Sequence, residues 1–270
     1  MINNKDIILL EKKLYEYKGD DEVVSFENMK KIVADRGTPD IQIKSMIPTL
    51  DRTLGDFVGG ELVVVSGLTG EGKSLFCQTL TNNFSKQDIG SLWFTYEMPP
   101  QYFLKRFEGN IPLSYLPKEL TSNKTDWLEE RVLEAKLKFN VKAVFVDHLH
   151  FLVDLAKIGN SSLEIGSIVR NIKKVALRQN IIIFLIAHTK KIQSDKELSL
   201  GDVRDSSFIE QEADSVLYVW RKEDETIDDE LVNDRSVLKI AKNRKLGTKN
   251  TKIELKYVNG NLMELEKNEF

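Results

Sequence analysis

One stretch of the sequence has the residue types and the spacing of a phosphate-binding loop. Residues 67–74 read Gly-Leu-Thr-Gly-Glu-Gly-Lys-Ser and fit the pattern G-x-x-x-x-G-K-[ST]. In such a loop, backbone N–H groups and the N-terminus of the following helix surround phosphate oxygens. Lys73 would reach the β- and γ-phosphates, and Ser74 would be a Mg²⁺ ligand. The nucleotide-binding positions that this pattern predicts are Gly67, Gly70, Gly72, Lys73, Ser74 and Leu75.

The sequence on either side of the loop supports this interpretation. Residues 61–66 are mostly apolar and have strand character, whereas residues 75–80 have a helical pattern. A strand, a glycine-rich loop and a helix, in that order, are the setting that a phosphate loop requires. The alternative is a chance glycine turn, and the setting favours the phosphate loop.

Three polar residues come directly after apolar stretches that we predict to be strands. Glu97 follows residues 91–96, Asp147 follows residues 143–146, and His188 follows residues 181–187. In open α/β sheets, ligands bind beyond the carboxyl ends of the strands. We therefore expect all three side chains to lie near the phosphate loop.

Each of these residues has a functional and a structural interpretation. Asp147 fits the Mg²⁺-binding aspartate of a P-loop enzyme, or else an N-cap at a strand end. Glu97 could deprotonate the water that attacks the γ-phosphate. It could also be a carboxylate at a helix N-terminus, because Pro99 and Pro100 can open a helix. His188 could bind the γ-phosphate by a hydrogen bond, or be a structural histidine.

A basic cluster occurs near the C-terminus. Lys242 and Arg244 lie two residues apart in an extended segment, so their side chains should point the same way. They could reach a γ-phosphate in an adjacent subunit, as an arginine finger does. Ordinary surface charge is the alternative.

The elements that must position these residues alternate along the chain. Near-continuous apolar strands separated by helices predict an α/β fold with a mostly parallel sheet flanked by helices. The predicted helices between the strands span residues 101–107, 127–138 and 162–178. After residue 237 the pattern predicts antiparallel strands joined by a turn at residues 259–260. Before the sheet, residues 4–17 and a segment capped by Ser25 predict two helices, and residues 36–40 read as a linker.

Composition limits the classes of function. The 270-residue chain is 41% hydrophobic and has a net charge of −3, so nucleic acid could be bound only by local basic patches. Cys77 is the single cysteine, which excludes an intrachain disulfide and indicates a reducing compartment. It is either a buried small hydrophobic residue or a reactive thiol. Residues 1–6 lack the layout of a signal peptide and no apolar run is long enough for a bilayer, so we expect a cytoplasmic protein without a membrane partner.

At these residues the chain resembles the motor domain of the DnaB-type replicative helicases, which are hexameric enzymes with a RecA fold. The resemblance covers roughly residue 47 to the C-terminus and rests on several motifs in the same order. The matching stretches are residues 47–51, 67–74, 96–99 (Tyr-Glu-Met-Pro), 146–149 (Val-Asp-His-Leu), 161–177, 202–214 and 241–244 (Ala-Lys-Asn-Arg). The resemblance implies that Glu97 is the catalytic base, that Asp147 belongs to the Walker B motif, and that Lys242 and Arg244 form the finger.

The resemblance also implies an architecture and an activity. Residues 41–270 would form a RecA-like P-loop NTPase core, preceded by an N-terminal helical extension or linker in residues 1–40. The core would bind ATP and Mg²⁺, assemble into a homo-oligomeric ring, typically a hexamer, and hydrolyse ATP between subunits. The implied function is that of a DNA helicase motor that translocates on single-stranded DNA in replication.

In that family, loops inside the ring hold single-stranded DNA by its backbone. The matching loop runs from about residue 190 to residue 207, where Arg204, Asp205 and Ser207 fall on the DNA-contacting positions. Lys190 and Lys191 add positive charge that could neutralise phosphates. No aromatic residues are interleaved with these charges, so base stacking is not indicated.

Three features depart from the family pattern. About forty residues precede the core where the family has a globular domain that engages primase. We therefore expect the two N-terminal helices to act as a linker that docks on the next subunit; primase or a helicase loader is a partner that the resemblance implies. His188 stands where the family has glutamine, which adds pH dependence. Ser207 replaces a glycine, which restricts the backbone where phosphate approaches.

Two other functions remain open from the sequence alone. One is a recombination or annealing ATPase of the RecA/RadA kind, which forms filaments on single-stranded DNA. The other is an ATP-dependent binding or regulatory module, against which the intact Lys73, Glu97, Asp147 and Arg244 argue. The compact core indicates a phage or mobile-element replicon that acts in a host cytoplasm.

Overall fold

The structure is a computed structural model that describes residues 4–19, 21–35, 41–107, 111–152, 161–188, 206–222, 225–227, 230–232 and 234–265. The chain forms two compact units, Met1–Asp40 and Ile41–Phe270. The helices are α1 (Asn4–Tyr15), α2 (Phe26–Asp35), α3 (Pro48–Leu54), α4 (Lys73–Ser85), α5 (Pro100–Lys105), α6 (Thr125–Phe139), α7 (Ser161–Gln179) and α8 (Ser206–Glu212).

The N-terminal unit contains the two helices that the sequence predicts. The Ser25 hydroxyl accepts a hydrogen bond from the backbone N–H of Asn28 at 3.2 Å, which confirms the predicted N-cap of α2. No residue of α2 is buried, and apolar side chains of α1 such as Leu9 and Leu14 are exposed. Two such helices bury too little apolar surface to form a core by themselves.

The larger unit is built on a nine-stranded sheet. The strands of the chain are β1 (Gln42–Ile43), β2 (Phe57–Val58), β3 (Leu62–Gly67), β4 (Ser91–Thr95), β5 (Ser114–Tyr115), β6 (Ala143–Asp147), β7 (Ile182–His188), β8 (Ser215–Arg221), β9 (Glu225–Ile227), β10 (Glu230–Val232), β11 (Arg235–Asn243), β12 (Thr251–Val258) and β13 (Asn261–Glu264). The order in the large sheet is β13-β12-β11-β8-β3-β7-β6-β4-β5. Strands β8 to β5 in that order pair in parallel, and β11, β12 and β13 close the sheet antiparallel. The predicted mostly parallel sheet with an antiparallel end is confirmed.

Several short elements were not predicted. They are α3, which begins at Pro48 in the segment that leads into the sheet, α8, the edge strand β5, and the small antiparallel pairs β1–β2 and β9–β10. A strand of two or three residues is too short to show a hydrophobic period, and its formation depends on tertiary contacts.

Both faces of the sheet are buried, which explains why its strands are apolar throughout. Successive residues of a strand point to opposite faces, so Val63 and Val64 of β3 belong to different hydrophobic clusters. On the Val63 face, the rings of Trp93, Phe145 and Phe184 stack with centroid separations of 4.5 and 4.7 Å. These stacked rings connect the three neighbouring strands β4, β6 and β7.

The cysteine of α4 belongs to this interior. Cys77 is fully buried, and burial raises the pKa of its thiol well above the usual value. The interpretation of Cys77 as a small buried hydrophobic residue is therefore confirmed.

Among the described residues, none of the helices has both the length and the apolar character that a membrane-spanning helix needs.

Candidate nucleotide site

The sheet register brings the predicted strand-end residues together. Gly67 at the end of β3 pairs with His188 at the end of β7, and Asp147 at the end of β6 pairs with Ile186 and with Thr95 of β4. The backbone N–H of Glu97 donates to the Asp147 carbonyl at 3.3 Å. The expectation that Glu97, Asp147 and His188 lie near the phosphate loop is confirmed, because β4, β6 and β7 are neighbours of β3 or of one another.

The phosphate loop has the backbone shape that its glycines predict. Gly72 precedes α4 with φ of 95°, in the left-handed region that glycine adopts without strain. A Cβ added at Gly67 would lie 2.2 Å from the carbonyl oxygen of Val219, so this position has room only for glycine. The first turn of α4 has no side-chain cap, so its backbone N–H groups are available to an anion.

Lys73 lies at the base of the loop and is 5% exposed. Its ammonium group donates to the Leu68 carbonyl at 2.7 Å, across the loop. Burial lowers the pKa of Lys73, against the opposing effect of the carboxylates of Asp147 and Glu97. Such a lysine is held as a cation among acceptors, and a phosphate is a stronger acceptor than the backbone carbonyl that it contacts now.

Ser74 and Asp147 form a pair of oxygen ligands beside Lys73. The Ser74 hydroxyl donates to Asp147 Oδ2 at 2.9 Å. Burial raises the pKa of Asp147 to about 6, and the hydrogen bond from Ser74 opposes that shift. Asp147 Oδ1 is buried and has no hydrogen-bond partner among the described residues. A hard cation such as Mg²⁺ prefers oxygen ligands, so these two residues fit its requirements.

These residues line one cleft of about 800 Å³ at the carboxyl edge of the sheet. Its wall also includes residues that the sequence did not single out: Gln78, Met98, Arg106, Arg221, Lys222, Asp234, Ser236, Tyr257, Gly260 and Leu262. Most come from the antiparallel end of the sheet and from the turn after α5. No local pattern marks them, because only the tertiary fold carries them to the phosphate loop.

Lys242 and Arg244 are not among the residues that line this cleft. The Lys242 ammonium group donates to the Ala213 carbonyl at 2.8 Å, and the Arg244 guanidinium donates to the Gln211 carbonyl at 2.6 Å and to Asp214 Oδ1 at 3.2 Å. Both side chains therefore point to the same side, as predicted, toward the end of α8. Both side chains contact residues 211–214 of their own chain.

Asp214 connects several elements through hydrogen bonds, a role that the sequence does not predict. Its carboxylate accepts a hydrogen bond from the backbone N–H of Leu62 at 2.8 Å, another from Lys173 of α7, and the one from Arg244. The Asp214 and Lys173 side chains are only 14 and 15% exposed. This cluster connects β3, α7 and the segment after α8.

We expect Asp214→Ala to lower the free energy of unfolding by about 3 kcal/mol, because it leaves the backbone N–H of Leu62 without its acceptor and the largely buried Lys173 without a counter-charge. Lys173 then keeps only its hydrogen bond to the Gly60 carbonyl. Glu212→Ala is a matched control, since Glu212 pairs with the exposed Arg170. Its loss should cost less than about 1 kcal/mol. Urea unfolding of both variants measures the difference, and equal effects would contradict the role of Asp214.

The predicted DNA-contacting residues cannot be placed in the same way. Lys190, Lys191, Arg204 and Asp205 lie outside the described residues. Ser207 lies in α8, which begins at Ser206.

The fold and the cleft define a class of protein. A phosphate loop between a central parallel strand and a helix, with an aspartate at the end of a nearby strand, is the arrangement of the P-loop nucleotide-binding proteins with a RecA-like core.

Residues 118–263 match the family model described as the DnaB-like helicase C terminal domain. The chain belongs to this family.

The relatives agree with that assignment. The replicative DNA helicase DnaB of Rickettsia bellii is 24% identical over 226 residues, which are 68% of this chain and 45% of the relative. The replicative DNA helicase DnaB of Treponema pallidum is 22% identical over 256 residues, which are 80% of this chain and 58% of the relative. A probable plasmid replicative DNA helicase of Chlamydia psittaci is 25% identical over 197 residues, which are 61% of this chain and 43% of the relative. The chain spans about half the length of the curated relatives that it matches.

Two solved structures share the fold. One is described as an ATPase domain and superposes with a TM-score of 0.73 at 20% identity, covering 90% of this chain and 100% of that one. The other is a DnaB-like replicative helicase that was solved in a study of its interactions with primase. It superposes with a TM-score of 0.71 at 19% identity, covering 97% of this chain and 72% of that one. The RecA-like fold that the sequence predicts is confirmed.

Proposed function

We propose that this chain is the ATP-driven motor of a replicative DNA helicase, which assembles into a ring, typically a hexamer, and translocates on single-stranded DNA. The observation that carries the proposal is the convergence of Lys73, Ser74, Asp147 and Glu97 on one cleft in a chain of the DnaB-like family. The cleft supplies the four functions that ATP hydrolysis requires: phosphate binding, metal binding, charge neutralisation and a base.

Each residue has a role that follows from its position. The uncapped N–H groups of α4 bind phosphate oxygens, and Lys73 exchanges the Leu68 carbonyl for the β- and γ-phosphates. Ser74 and Asp147 hold Mg²⁺, which neutralises charge on the phosphates when it is bound. Glu97 is exposed at the mouth of the cleft and accepts the proton of the attacking water. His188, whose Nδ1 lies 3.5 Å from the Thr69 hydroxyl, donates a hydrogen bond to the γ-phosphate.

Lys242 and Arg244 act on the ATP of the neighbouring subunit. Their side chains extend from the end of β11 and lie away from the cleft of their own chain, which fits a finger supplied in trans. Their contacts with residues 211–214 lie just after the segment for which we propose DNA contacts, including Lys190, Lys191, Arg204, Asp205 and Ser207.

A strand-displacement assay tests this function against the filament-forming alternative. We expect the chain to unwind a forked DNA duplex with ATP and Mg²⁺, and the Lys73→Ala variant to leave the duplex intact. A chain that hydrolyses ATP and coats single-stranded DNA without separating the fork would support the recombination or annealing ATPase instead. We propose a helicase loader or primase as a further partner. It would be added to the assay if the ring does not load onto DNA by itself.

Tyr257 is expected to bind the base of the nucleotide. It is 47% exposed and lines the cleft from the β12–β13 hairpin, which is remote in sequence from the phosphate loop. Base–aromatic stacking contributes about 1–3 kcal/mol, so Tyr257→Ala should raise the KM for ATP about tenfold and leave kcat nearly unchanged. Tyr102→Ala, which removes a 59% exposed ring outside the cleft, is the matched control. Equal kinetics of the two variants would exclude stacking on Tyr257.

A further inference from the structure

Three metal-ligating side chains lie together beside the phosphate loop. The ligand atoms of Glu97, His148 and His188 are all within 4.8 Å of one another. The two imidazole rings meet edge to face, with centroids 4.3 Å apart and planes at 89°. The sequence predicts roles at the ATP site for Glu97 and His188 and none for His148, although His148 follows Asp147 directly.

The sheet places these three residues close together. Glu97, His148 and His188 stand at the carboxyl ends of β4, β6 and β7, which are adjacent parallel strands. The Glu97 N–H bonds to the Asp147 carbonyl, and the ring of His148 packs 4.9 Å from that of Phe151. Both histidines are half-buried, whereas Glu97 is exposed and its side chain can adjust.

The chemistry of the trio differs from that of the neighbouring oxygen pair. Mg²⁺ prefers oxygen ligands, and the side-chain oxygens of Ser74 and Asp147 would bind it. Two imidazoles and one carboxylate form a donor set for Zn²⁺ and other first-row transition metals, with positions left open for water or substrate. We propose that Glu97, His148 and His188 form a transition-metal site, distinct from the Mg²⁺ site and adjacent to it.

The distances allow such a site after a small movement. Zinc–ligand bonds of about 2.0–2.2 Å in tetrahedral geometry put ligand atoms roughly 3.4 Å apart, so atoms that now lie within 4.8 Å of one another must approach by at most about 1.4 Å. Glu97 is exposed, so rotation of its side chain can contribute to that movement. Glu97 and His188 both line the cleft, so the metal has a path from solvent.

The site would make hydrolysis sensitive to transition metals. A metal bound to the Glu97 carboxylate occupies the lone pair with which this residue accepts the proton of water. We expect Zn²⁺ to inhibit ATP hydrolysis in the presence of excess Mg²⁺. This consequence rests on the proposed function, whereas metal binding itself does not.

Binding of Co²⁺ to the nucleotide-free, EDTA-treated protein tests the site directly. Titration followed by visible absorption should show one Co²⁺ per chain, displaced by Zn²⁺. Partners in the outer shell of a metal site contribute about 10–100-fold to affinity, so loss of a ligand in His148→Gln, His188→Gln or Glu97→Gln should weaken binding at least about a hundredfold. Glu97→Gln changes an exposed residue and keeps the test valid if a histidine variant does not fold.

Two control variants separate this site from other metal ligands. His150→Gln changes the remaining histidine of the chain, and Ser74→Ala removes a ligand of the Mg²⁺ site. Both should retain the Co²⁺ spectrum. The proposal is overturned if wild type binds no Co²⁺, if the trio variants bind it as wild type does, or if His150→Gln or Ser74→Ala abolishes binding.

An activity measurement then separates this site from the proposed function. Zn²⁺ should inhibit ATP hydrolysis by the wild type, and the concentration for half-inhibition should rise at least tenfold in His148→Gln. Unchanged sensitivity in that variant would overturn the regulatory consequence. If the chain hydrolyses no ATP under any condition, the proposed function fails and the Co²⁺ titration still decides the metal site.

Discussion

Replacing Arg244 with alanine should abolish DNA-stimulated ATP hydrolysis while the protein stays folded. Arginine fingers contribute about 10³–10⁵-fold to kcat, because they neutralise charge that develops on the transferred phosphoryl group. We therefore expect kcat to fall about a thousandfold or more. Arg244 is half exposed, and Asp214 keeps its bonds from Leu62 and Lys173 without it. The free energy of unfolding should change by less than about 1 kcal/mol.

Complementation shows whether the finger acts between subunits. A Lys73→Ala subunit lacks a working phosphate loop but supplies a finger, whereas an Arg244→Ala subunit has the reverse defect. In a ring with head-to-tail interfaces, random mixing of the two would pair a good loop with a good finger at roughly a quarter of the interfaces. We expect the mixture to regain ATP hydrolysis that neither variant has alone.

Arg178→Ala is the control for loss of an exposed, ion-paired arginine. The Arg178 side chain is 55% exposed and pairs with Glu129, as Arg244, at 51%, pairs with Asp214. The control variant should hydrolyse ATP at the wild-type rate. A mixture without recovered activity would argue that Arg244 acts within its own subunit or has a structural role.

Glu97→Gln should preserve ATP binding and remove hydrolysis. The amide keeps the shape of the side chain but cannot accept a proton, and general base catalysis contributes about 10²–10⁴-fold. We expect kcat to fall by that factor. The Kd for ATP should stay close to the wild-type value, because we propose that Lys73 and the N-terminus of α4 make the phosphate contacts.

Equilibrium binding of a fluorescent ATP analogue and steady-state hydrolysis measure the two effects separately. Glu130→Gln, on the exposed face of α6, is the control for removing one carboxylate. If Glu97→Gln hydrolyses ATP at the wild-type rate, another group must activate the water. If the variant binds no nucleotide, Glu97 is needed for binding and the assignment as a base is wrong.

The sequence predicted the phosphate end of the site because its signals are local. The loop at residues 67–74 is a contiguous pattern, and Asp147, Glu97 and His188 each end an apolar strand. Parallel strands place their carboxyl ends at one edge, so their convergence follows from the fold class alone. The burial of both faces of the sheet likewise follows from the uninterrupted apolar strands.

Other parts of the cleft could not be predicted in this way. Strand order in the sheet, β8-β3-β7-β6-β4, is not the order in the chain, and the proximity of His148 to His188 depends on it. Tyr257 reaches the cleft only because the β12–β13 hairpin packs near α4. No local pattern distinguishes Asp214 from the other acidic residues near it. Its hydrogen-bond partners Leu62 and Lys173 are distant in sequence.

ATP hydrolysis with and without single-stranded DNA, in wild type and in Lys73→Ala, shows whether this chain is a DNA-stimulated motor. We expect hydrolysis that DNA stimulates strongly and that Lys73→Ala abolishes, because we propose that Lys73 is the cation that binds the β- and γ-phosphates. Absence of hydrolysis at any DNA or Mg²⁺ concentration would contradict a motor. It would instead indicate an ATP-dependent binding module that shares the fold.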